Sequence, residues 1–269
     1  MYNYYVKVTV GSVLSFALNY FSVNGGEKPL RGTYFIDIHS HIIPGVDDGS
    51  KDLRESVKMA RDAYSSGTRV IIATPHYYTA DNSIDKIKEN FYRLSSILHK
   101  ELPDLKLFLG NENYFHVGLC KEIGEGRSLA LARSNCLLVE FSYNVHFDFL
   151  FKSLMDIFSN GYIPVLAHAE RYDNLTDDDI DRIYQFGVHI QVNADSVTGE
   201  EFGQKKKVKR WLKGGLVDFI ASDCHNTTGR PSPLLNAYRK TVKMCGKEYA
   251  DKVFCKNAEE MIFGAEFSE

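Results

Sequence analysis

The stretch FIDIHSHIIPGVDDGS, residues 35–50, places two histidines at alternate positions at the end of an apolar run. Side chains two residues apart on a β-strand point to the same face, so His39 and His41 are expected to project together. The turn that follows carries Asp47 and Asp48 beside glycines, and both residue types are frequent in turns. The pattern predicts a strand that ends in a metal-binding pair, although His-x-His alone is also compatible with two structural histidines.

Six further segments repeat this arrangement, in which an apolar run ends in residues able to bind metal or phosphate. They are VIIATPH (70–76), LKLFLGNE (105–112), CLLVEFS (136–142), IPVLAHAER (163–171), VHIQVNAD (188–195) and VDFIASDCH (217–225). Unbroken apolar runs are typical of strands covered on both faces, as in parallel sheets. Seven such strands are expected to form an α/β barrel with the reactive residues at its C-terminal rim.

Amphipathic segments lie between most of these runs and predict the helices of βα units. In DLRESVKMARDAYSSG (52–67), Leu53, Val57, Ala60 and Tyr64 share one face. The segments 149–161 and 178–187 both end in glycine, the typical residue after a helix C-terminus. The run KKKVKR (205–210) is interpreted as the solvated face of a helix.

Composition excludes several classes of protein. The chain has 269 residues and a formal net charge of −3, without a basic stripe for nucleic acid or a polybasic membrane patch. Its five cysteines are odd in number and lack Cys-x-x-Cys spacing, which argues against a disulfide framework. We therefore expect a cytoplasmic protein that binds no nucleic acid.

The first 34 residues are interpreted as an N-terminal extension of unknown role, followed by one catalytic domain at 35–269. The apolar-leaning segment 6–23 contains Lys7 and several polar residues, so stable membrane insertion is not expected. The tyrosines of MYNYY (1–5) are interpreted as β-forming residues rather than phosphorylation sites. The oligomeric state cannot be predicted from the sequence.

Five histidines and three carboxylates at the strand ends are expected to converge as metal ligands. So many ionisable groups at one rim require cations among them, and mixed imidazole and carboxylate ligands suit Mn, Fe or Zn better than Mg or Ca. The number of ligands is sufficient for two or three divalent ions. The candidate ligands are His39, His41, His76, Glu112, Glu140, His168, Asp223 and His225.

The other ionisable residues near these motifs receive structural interpretations. Asp37 is expected to support the ligands rather than to bind metal. The four remaining histidines lack a strand-end context and are interpreted as surface or structural: His99, His116, His146 and His189.

The ordered set DIHSHIIPGVDDGS, ATPH, GNE, LVEFS, AHAERY, QVNADS and ASDCHNTTGRP resembles the polymerase-and-histidinol-phosphatase (PHP) family. It is most similar to the family's manganese-dependent bacterial protein-tyrosine phosphatases of the CpsB/CapC type, which regulate capsule and exopolysaccharide synthesis. The resemblance covers nearly everything after residue 34. Two features depart from it: the extension at 1–34 has no counterpart, and Cys224 is not a family ligand.

The resemblance implies a distorted (β/α)7 TIM-like barrel with a trinuclear centre held by the same eight residues. It further implies that Arg171 and Arg230 hold the phosphate and that Asp48 lies near the active site with a role in acid–base catalysis. The implied reaction is attack of a metal-bound hydroxide on phosphorus, without a covalent phosphoenzyme. The implied substrate is a phosphotyrosine protein, a bacterial tyrosine kinase with a Tyr-rich tail.

Three other interpretations remain open at this point. CHNTTGR (224–230) has the Cys-to-Arg spacing of cysteine-dependent phosphatases, although Cys224 is expected to point away from the rim. A small-molecule phosphatase of the same fold, acting on a substrate such as histidinol phosphate, would use the same ligands. A non-catalytic metal-bound interaction module would bind metal without turnover.

Overall fold

The computed structural model describes residues 34–77, 83–199 and 204–264. The residues from Phe35 onward belong to one compact unit. The N-terminal extension lies outside the described residues apart from Tyr34, so its boundary and the interpretation of MYNYY stay predictions. Within the described ranges, every helix is too short or too polar to span a bilayer.

Parallel strands form the barrel wall, as predicted. They pair in the orders β1-β2-β4 and β3-β5-β6-β7-β8-β9, and every pair is parallel. The strands are β1 (Phe35–Ser40), β2 (Thr68–Ala73), β3 (His76–Tyr77), β4 (Lys106–Leu109), β5 (Glu112–Tyr114), β6 (Cys136–Glu140), β7 (Ile163–Leu166), β8 (His189–Asn193) and β9 (Phe219–Ala221).

The described strands occupy seven positions around the barrel. β3 continues β2 after a break at Pro75, where the proline lacks the N–H that a ladder needs. β5 likewise continues β4 after a break at Gly110. The end of β9 meets β1 through a bridge between Ser40 and Cys224, with the Asp223 amide donating to His39 O at 2.9 Å. This arrangement confirms the distorted seven-stranded barrel.

Helices follow most of the strands and have the predicted ends. Helix α1 begins after Asp52, whose side chain accepts the Glu55 amide at 2.9 Å. Gly161 and Gly187 have φ values of 86° and 89°, the left-handed conformation expected just after a helix. The helices are α1 (Leu53–Ser65), α2 (Ile84–Glu101), α3 (Leu119–Gly124), α4 (Phe147–Ser159), α5 (Asp177–Gln185), α6 (Ala194–Thr198), α7 (Lys205–Gly214), α8 (Leu234–Cys245), α9 (Lys247–Asp251) and α10 (Asn257–Phe263).

Two apolar clusters hold the helices against the barrel. The larger cluster packs strands β6, β7 and β8 against helices α4, α5, α7 and α8, and it includes the fully buried Trp211. The smaller one packs α1 and α2 against β2 through residues such as Ala60, Leu94 and Ile71. The basic run 205–210 lies in α7 with most of its lysines exposed and Val208 buried, as predicted.

The loop after β1 folds back on the strand end. The Ser50 amide donates to His41 O at 3.0 Å, and the Gly45 amide donates to Ser50 O at 2.8 Å. Gly49 lies against the strand so closely that a Cβ there would be 2.2 Å from His41 O. The loop therefore needs glycine at this position.

We predict that Gly49→Ala destabilises the fold by about 1–3 kcal/mol, because the added methyl group overlaps backbone atoms of His41. Gly124→Ala is the matched control, since a Cβ at this helical position has no atom within 4 Å and alanine favours a helix. Denaturant unfolding of both variants measures the difference. Equal stabilities would contradict the close approach.

Candidate metal centre

All eight predicted ligands lie together at the C-terminal rim of the strands. Seven of them are at most 7% exposed, and the His76 side chain is 17% exposed. Three groups of their ligand atoms each lie within 4.8 Å of one another. The groups are His39, His41 and Asp223; His76, Glu112 and Glu140; and His41, Asp48, His76 and His225.

The first group surrounds a single point. His39 Nε2 lies 3.2 Å from His41 Nε2, and both nitrogens are 3.3 Å from Glu112 Oε2. Asp223 Oδ1 lies 3.5 Å from His39 Nε2 and 3.4 Å from His41 Nε2. Ligands at about 2.1 Å from a tetrahedral metal are separated by roughly 3.4 Å. These spacings fit four ligands of one cation.

Hydrogen bonds to the far side of each ring fix the form of these two histidines. His41 Nδ1 donates to Asp47 Oδ2 at 2.8 Å, and His39 Nδ1 donates to Gln191 Oε1 at 3.2 Å. A neutral ring that donates from Nδ1 carries its lone pair on Nε2. With both rings neutral, the form that binds metal, two lone pairs face each other at 3.2 Å, an arrangement that a cation between them satisfies.

Glu112 connects the first group to the second. Its Oε2 also lies 2.9 Å from His76 Nδ1, while its Oε1 lies 2.7 Å from His168 Nε2. Glu140 lies near the same two histidines: its Oε1 is 3.6 Å from His168 Nε2, and its Oε2 is 3.9 Å from His76 Nδ1. One buried carboxylate thus lies between two groups of ligands, a position suited to bridging two cations.

The third group includes a residue expected to be catalytic. Asp48 Oδ1 lies 3.4 Å from His76 Nε2 and 3.4 Å from His225 Nε2. His225 donates from Nδ1 to the backbone carbonyl of Asp223 at 2.9 Å, so its buried Nε2 carries the lone pair, and this nitrogen has no hydrogen-bond partner. Burial, followed by the charge of His41, lowers the pKa of His225 to about 4, which keeps the ring in the neutral form that binds metal.

Sequence reasoning missed several supporting residues. Asp47 accepts from His41 and from the His76 amide, the latter at 3.0 Å, so it is a ligand-orienting residue rather than only a turn former. The Gln191 side chain donates to Asn193 Oδ1, and Asn193 Nδ2 donates to Asp223 Oδ2, both at 2.8 Å. For Asp47, its position close to a histidine pair in the sequence was a usable signal. The sequence contains no comparable signal for the side-chain amides of Gln191 and Asn193.

Asp37 supports the ligand residues through the backbone and a neighbouring serine rather than through a ligand ring. Its Oδ1 accepts the Ser222 amide at 2.9 Å and its Oδ2 accepts the Ser222 hydroxyl at 2.5 Å. Its one bond to a predicted ligand residue is from the His39 backbone amide at 3.4 Å, not from a ring. Asp37 therefore fixes the junction of β1 and β9.

Two of the predicted ligands have strained backbones. His168 and Asp223 have φ values of 32° and 50°, a region that residues other than glycine rarely adopt. His168 lies two residues after the end of β7, and Asp223 lies two residues after the end of β9. Such strain is typical of functional positions that the surrounding fold holds in place.

The two predicted phosphate-binding arginines meet at the same carboxylate. Arg171 Nη1 and Arg230 Nη2 donate to Asp223 Oδ2 at 2.9 and 2.6 Å. Both line a cleft of about 330 Å³ together with six of the predicted ligands and Asp48. The guanidinium groups therefore lie beside the predicted metal ligands at the cleft.

Cys224 is unsuited to a thiolate mechanism. Its side chain is 5% exposed and packs in the smaller apolar cluster, outside the residues that line the cleft. The amides of Thr228, Gly229 and Arg230 all donate to Asn226 Oδ1, at 2.7–3.1 Å, so they are not directed at a phosphate. This geometry argues against the cysteine-dependent alternative.

The other four histidines lie outside these groups. His99 and His146 are exposed, as interpreted from the sequence. His116 Nε2 lies 3.5 Å from Glu122 Oε2, and His189 Nδ1 lies 3.4 Å from Asp218 Oδ2. None of the four joins a candidate metal group among the described residues.

Comparison with known proteins identifies relatives across this domain. The sequence family "Capsular polysaccharide synthesis, CpsB/CapC" matches residues 35–263. The tyrosine-protein phosphatase CpsB of Streptococcus agalactiae serotype III is 30% identical over 237 residues, covering 84% of this chain and 98% of that protein. The tyrosine-protein phosphatase YwqE of Bacillus subtilis is 32% identical over 233 residues, covering 84% and 91%.

Solved structures show the same fold. A crystal structure from work on YwqE of Bacillus subtilis and CpsB of Streptococcus pneumoniae, described as metal-dependent tyrosine phosphatases, has a TM-score of 0.80 at 29% identity and covers 85% of this chain and 94% of that chain. A histidinol phosphate phosphatase from Lactococcus lactis has a TM-score of 0.51 at 14% identity, covering 78% and 92%. The second similarity concerns the fold alone.

The acid–base balance of the ligand cluster predicts a pH-dependent response to metal. Burial disfavours the charged form of the His39 ring, but the carboxylates of Glu112 and Asp223 outweigh burial and raise the pKa of His39. Burial likewise opposes the charge on His41, and hydrogen bonds to Asp223, Asp47 and Glu112 raise the pKa of His41 well above 6.5. In the metal-free protein, the ion pairs of these protonated histidines stabilise the folded state. Their full contribution is present below the unfolded-state histidine pKa of about 6.5, and it is lost as pH rises through the higher pKa values of the folded state. Metal binding must displace these protons.

We therefore expect Mn²⁺ to raise the melting temperature more at pH 8 than at pH 6. Affinity should gain up to about tenfold per pH unit for each proton displaced. Thermal unfolding with and without Mn²⁺ at both pH values measures this, with a chelator present in the metal-free arm. An equal rise at the two pH values would contradict displacement of protons from these histidines.

Proposed function

The chain belongs to the CpsB/CapC family, and from that premise we propose that it is a metal-dependent tyrosine-protein phosphatase. The observation that carries the proposal is the clustering of eight predicted ligand side chains, six of which line one cleft together with two arginines. A phosphate monoester is the substrate class that such a combination of cations and guanidinium groups binds. Catalysis of this reaction consists mainly of positioning and charge stabilisation.

The residues that would hold the metal are the eight predicted ligands together with Asp48. We propose two to three divalent ions, with Mn²⁺ as the native metal and Fe or Zn as alternatives compatible with the ligand set. When bound, these ions supply Lewis-acid charge and lower the pKa of a coordinated water. Glu112 is the residue that would bridge two of them, because its two oxygens face different groups of histidines.

The arginines orient the phosphoryl group. Both donate to Asp223 Oδ2, which fixes the orientation of each planar guanidinium at the cleft, and a planar guanidinium matches the geometry of phosphoryl oxygens. Because Cys224 is buried away from the cleft, we propose direct attack by water without a phosphorylated side chain.

Asp48 has two candidate roles. Its position between His76 and His225 suits a metal ligand, whereas its 65% exposed side chain at the cleft suits proton transfer with solvent. We propose the ligand role first, because tyrosine has a pKa of about 10 and its phenolate leaves without strong acid assistance. The general-acid role inferred from the resemblance stays a prediction.

We propose that the substrate is a cytoplasmic phosphotyrosine protein of capsule or exopolysaccharide synthesis, specifically a tyrosine kinase with a Tyr-rich tail. The family description, capsular polysaccharide synthesis, supports this process. The names of relatives in two bacterial genera support phosphotyrosine as the chemical group.

A substrate panel tests the proposed function. The purified protein, loaded with Mn²⁺, is assayed on a phosphotyrosine peptide, the matching phosphoserine peptide and histidinol phosphate. We expect turnover of the phosphotyrosine peptide to exceed that of the other two, and to be lost with a chelator and restored by Mn²⁺. Preference for histidinol phosphate would instead support the small-molecule alternative, and metal binding without turnover would support the interaction module.

We predict that Arg171→Ala and Arg230→Ala each lower kcat/KM on the phosphotyrosine peptide about 100-fold, because each removes one charged donor to the transferring phosphoryl group. Arg210→Ala is the matched control, since Arg210 pairs with Asp177 at 2.6 Å and does not line the cleft. Metal content is measured in all three variants. Unchanged kcat/KM in both cleft variants would contradict the assignment of the phosphate site.

A further inference from the structure

The cleft has an aromatic wall that the proposed chemistry does not use. We propose that Tyr143 contacts the aromatic ring of the substrate and makes the cleft selective for aryl over alkyl phosphates. The inference rests on the proposed function and assigns a specificity-determining residue to the same site. It concerns the side chain's ring and not its hydroxyl group.

Tyr143 stands beside the predicted ligands without belonging to them. It lines the cleft, and its ring centroid lies 6.0 Å from that of His168 at an interplanar angle of 68°. The side chain nevertheless remains 51% exposed. One part of the ring therefore packs on the site while the rest faces the cleft and solvent.

The turn that carries Tyr143 is fixed at several points. The Val145 amide donates to Ser142 O at 2.9 Å and closes the turn, and Val145 itself is buried in the larger apolar cluster. Asn174 Nδ2 donates to Asn144 O at 3.0 Å. Just before the turn, the Phe141 amide donates to the Tyr172 hydroxyl oxygen at 3.0 Å. The ring is thus held in place before any substrate arrives.

Neighbouring aromatic residues extend the same side of the cleft. Tyr114 and Phe141 also line it; Tyr114 is exposed, and Phe141 is buried and stacked on Phe115 with centroids 5.0 Å apart. Phe149 packs its edge on Phe115 at 6.0 Å and is itself exposed. Exposed aromatic rings clustered at a cleft are typical of binding surfaces.

The remaining cleft residues place the substrate's two ends. Arg171, Arg230 and the buried ligands would hold the phosphoryl group, which leaves the ester's organic group to extend toward the mouth. A phenyl ring there can meet Tyr143 edge-to-face or offset, which are the favourable arrangements for two aromatic rings. The short alkyl carbon of phosphoserine offers no such contact.

Two non-hydrolysable inhibitors test the ring contact separately from the chemistry. Inhibition constants for phenylphosphonate and methylphosphonate are measured against turnover of the phosphotyrosine peptide by the Mn²⁺-loaded enzyme. We expect Tyr143→Ala to raise the inhibition constant of phenylphosphonate about tenfold, since a good aromatic pair contributes roughly a factor of ten. The inhibition constant of methylphosphonate should stay within about twofold of the wild-type value. Tyr143→Phe should keep the wild-type ratio.

Tyr92→Ala is the matched control, because Tyr92 is an exposed tyrosine on α2 that does not line the cleft. Equal weakening of both phosphonates in Tyr143→Ala, or no change in their ratio, would overturn the inference while leaving the proposed function intact. Loss of selectivity in Tyr143→Phe would also overturn it, because the hydroxyl group would then be the determinant. Failure of the wild-type enzyme to hydrolyse phosphotyrosine would defeat the proposed function, and the inference with it.

Discussion

The structure depends on one shared carboxylate, that of Glu112, which is fully enclosed among imidazole rings. Its two oxygens lie within 3.3 Å of nitrogens from four histidines: His39, His41, His76 and His168. A buried charge of this kind is stable only when opposite charge and hydrogen bonds surround it. Cations meet that requirement best, because they use the lone pairs of neutral rings that would otherwise face one another.

The barrel explains how so distant a set of residues reaches one point. Parallel strands present their C-terminal ends at the same rim. Six of the seven strand positions contribute one or two predicted ligands, and β8 contributes the supporting residues Gln191 and Asn193. The final placement requires local distortion, since His168 and Asp223 hold left-handed backbones immediately past their strands. Asp47, Gln191 and Asn193 then fix ring and carboxylate orientation, so the geometry is established by the protein before metal arrives.

The sequence was informative where chemistry and strand pattern coincide. The seven strand ends and the eight clustered side chains could be predicted because an apolar run followed by a histidine or acid has few structural explanations when it recurs seven times. The breaks at Pro75 and Gly110 split two predicted strands, although proline lacks the N–H that a ladder needs and so gave a signal for the first of them. The hydrogen bond from Asn193 to Asp223 joins two distant parts of the chain, for which a lone amide gives no signal.

The role of the CHNTTGR segment shows the same limit. Its spacing allows a cysteine nucleophile, and only the position of Cys224 in an apolar cluster, with three loop amides directed at Asn226, removes that interpretation. The sequence likewise gives no indication of a role for Tyr143, because a tyrosine in a turn can be assigned to the site only once the structure shows that the turn borders it.

Anomalous diffraction from crystals of the Mn²⁺-loaded protein tests the central claim most directly. We expect a metal peak bounded by His39 Nε2, His41 Nε2 and Asp223 Oδ1, and a second one on the side of Glu112 that faces His168 and Glu140. Peaks confined to other parts of the protein, or saturating Mn²⁺ with no peak among these residues, would contradict it.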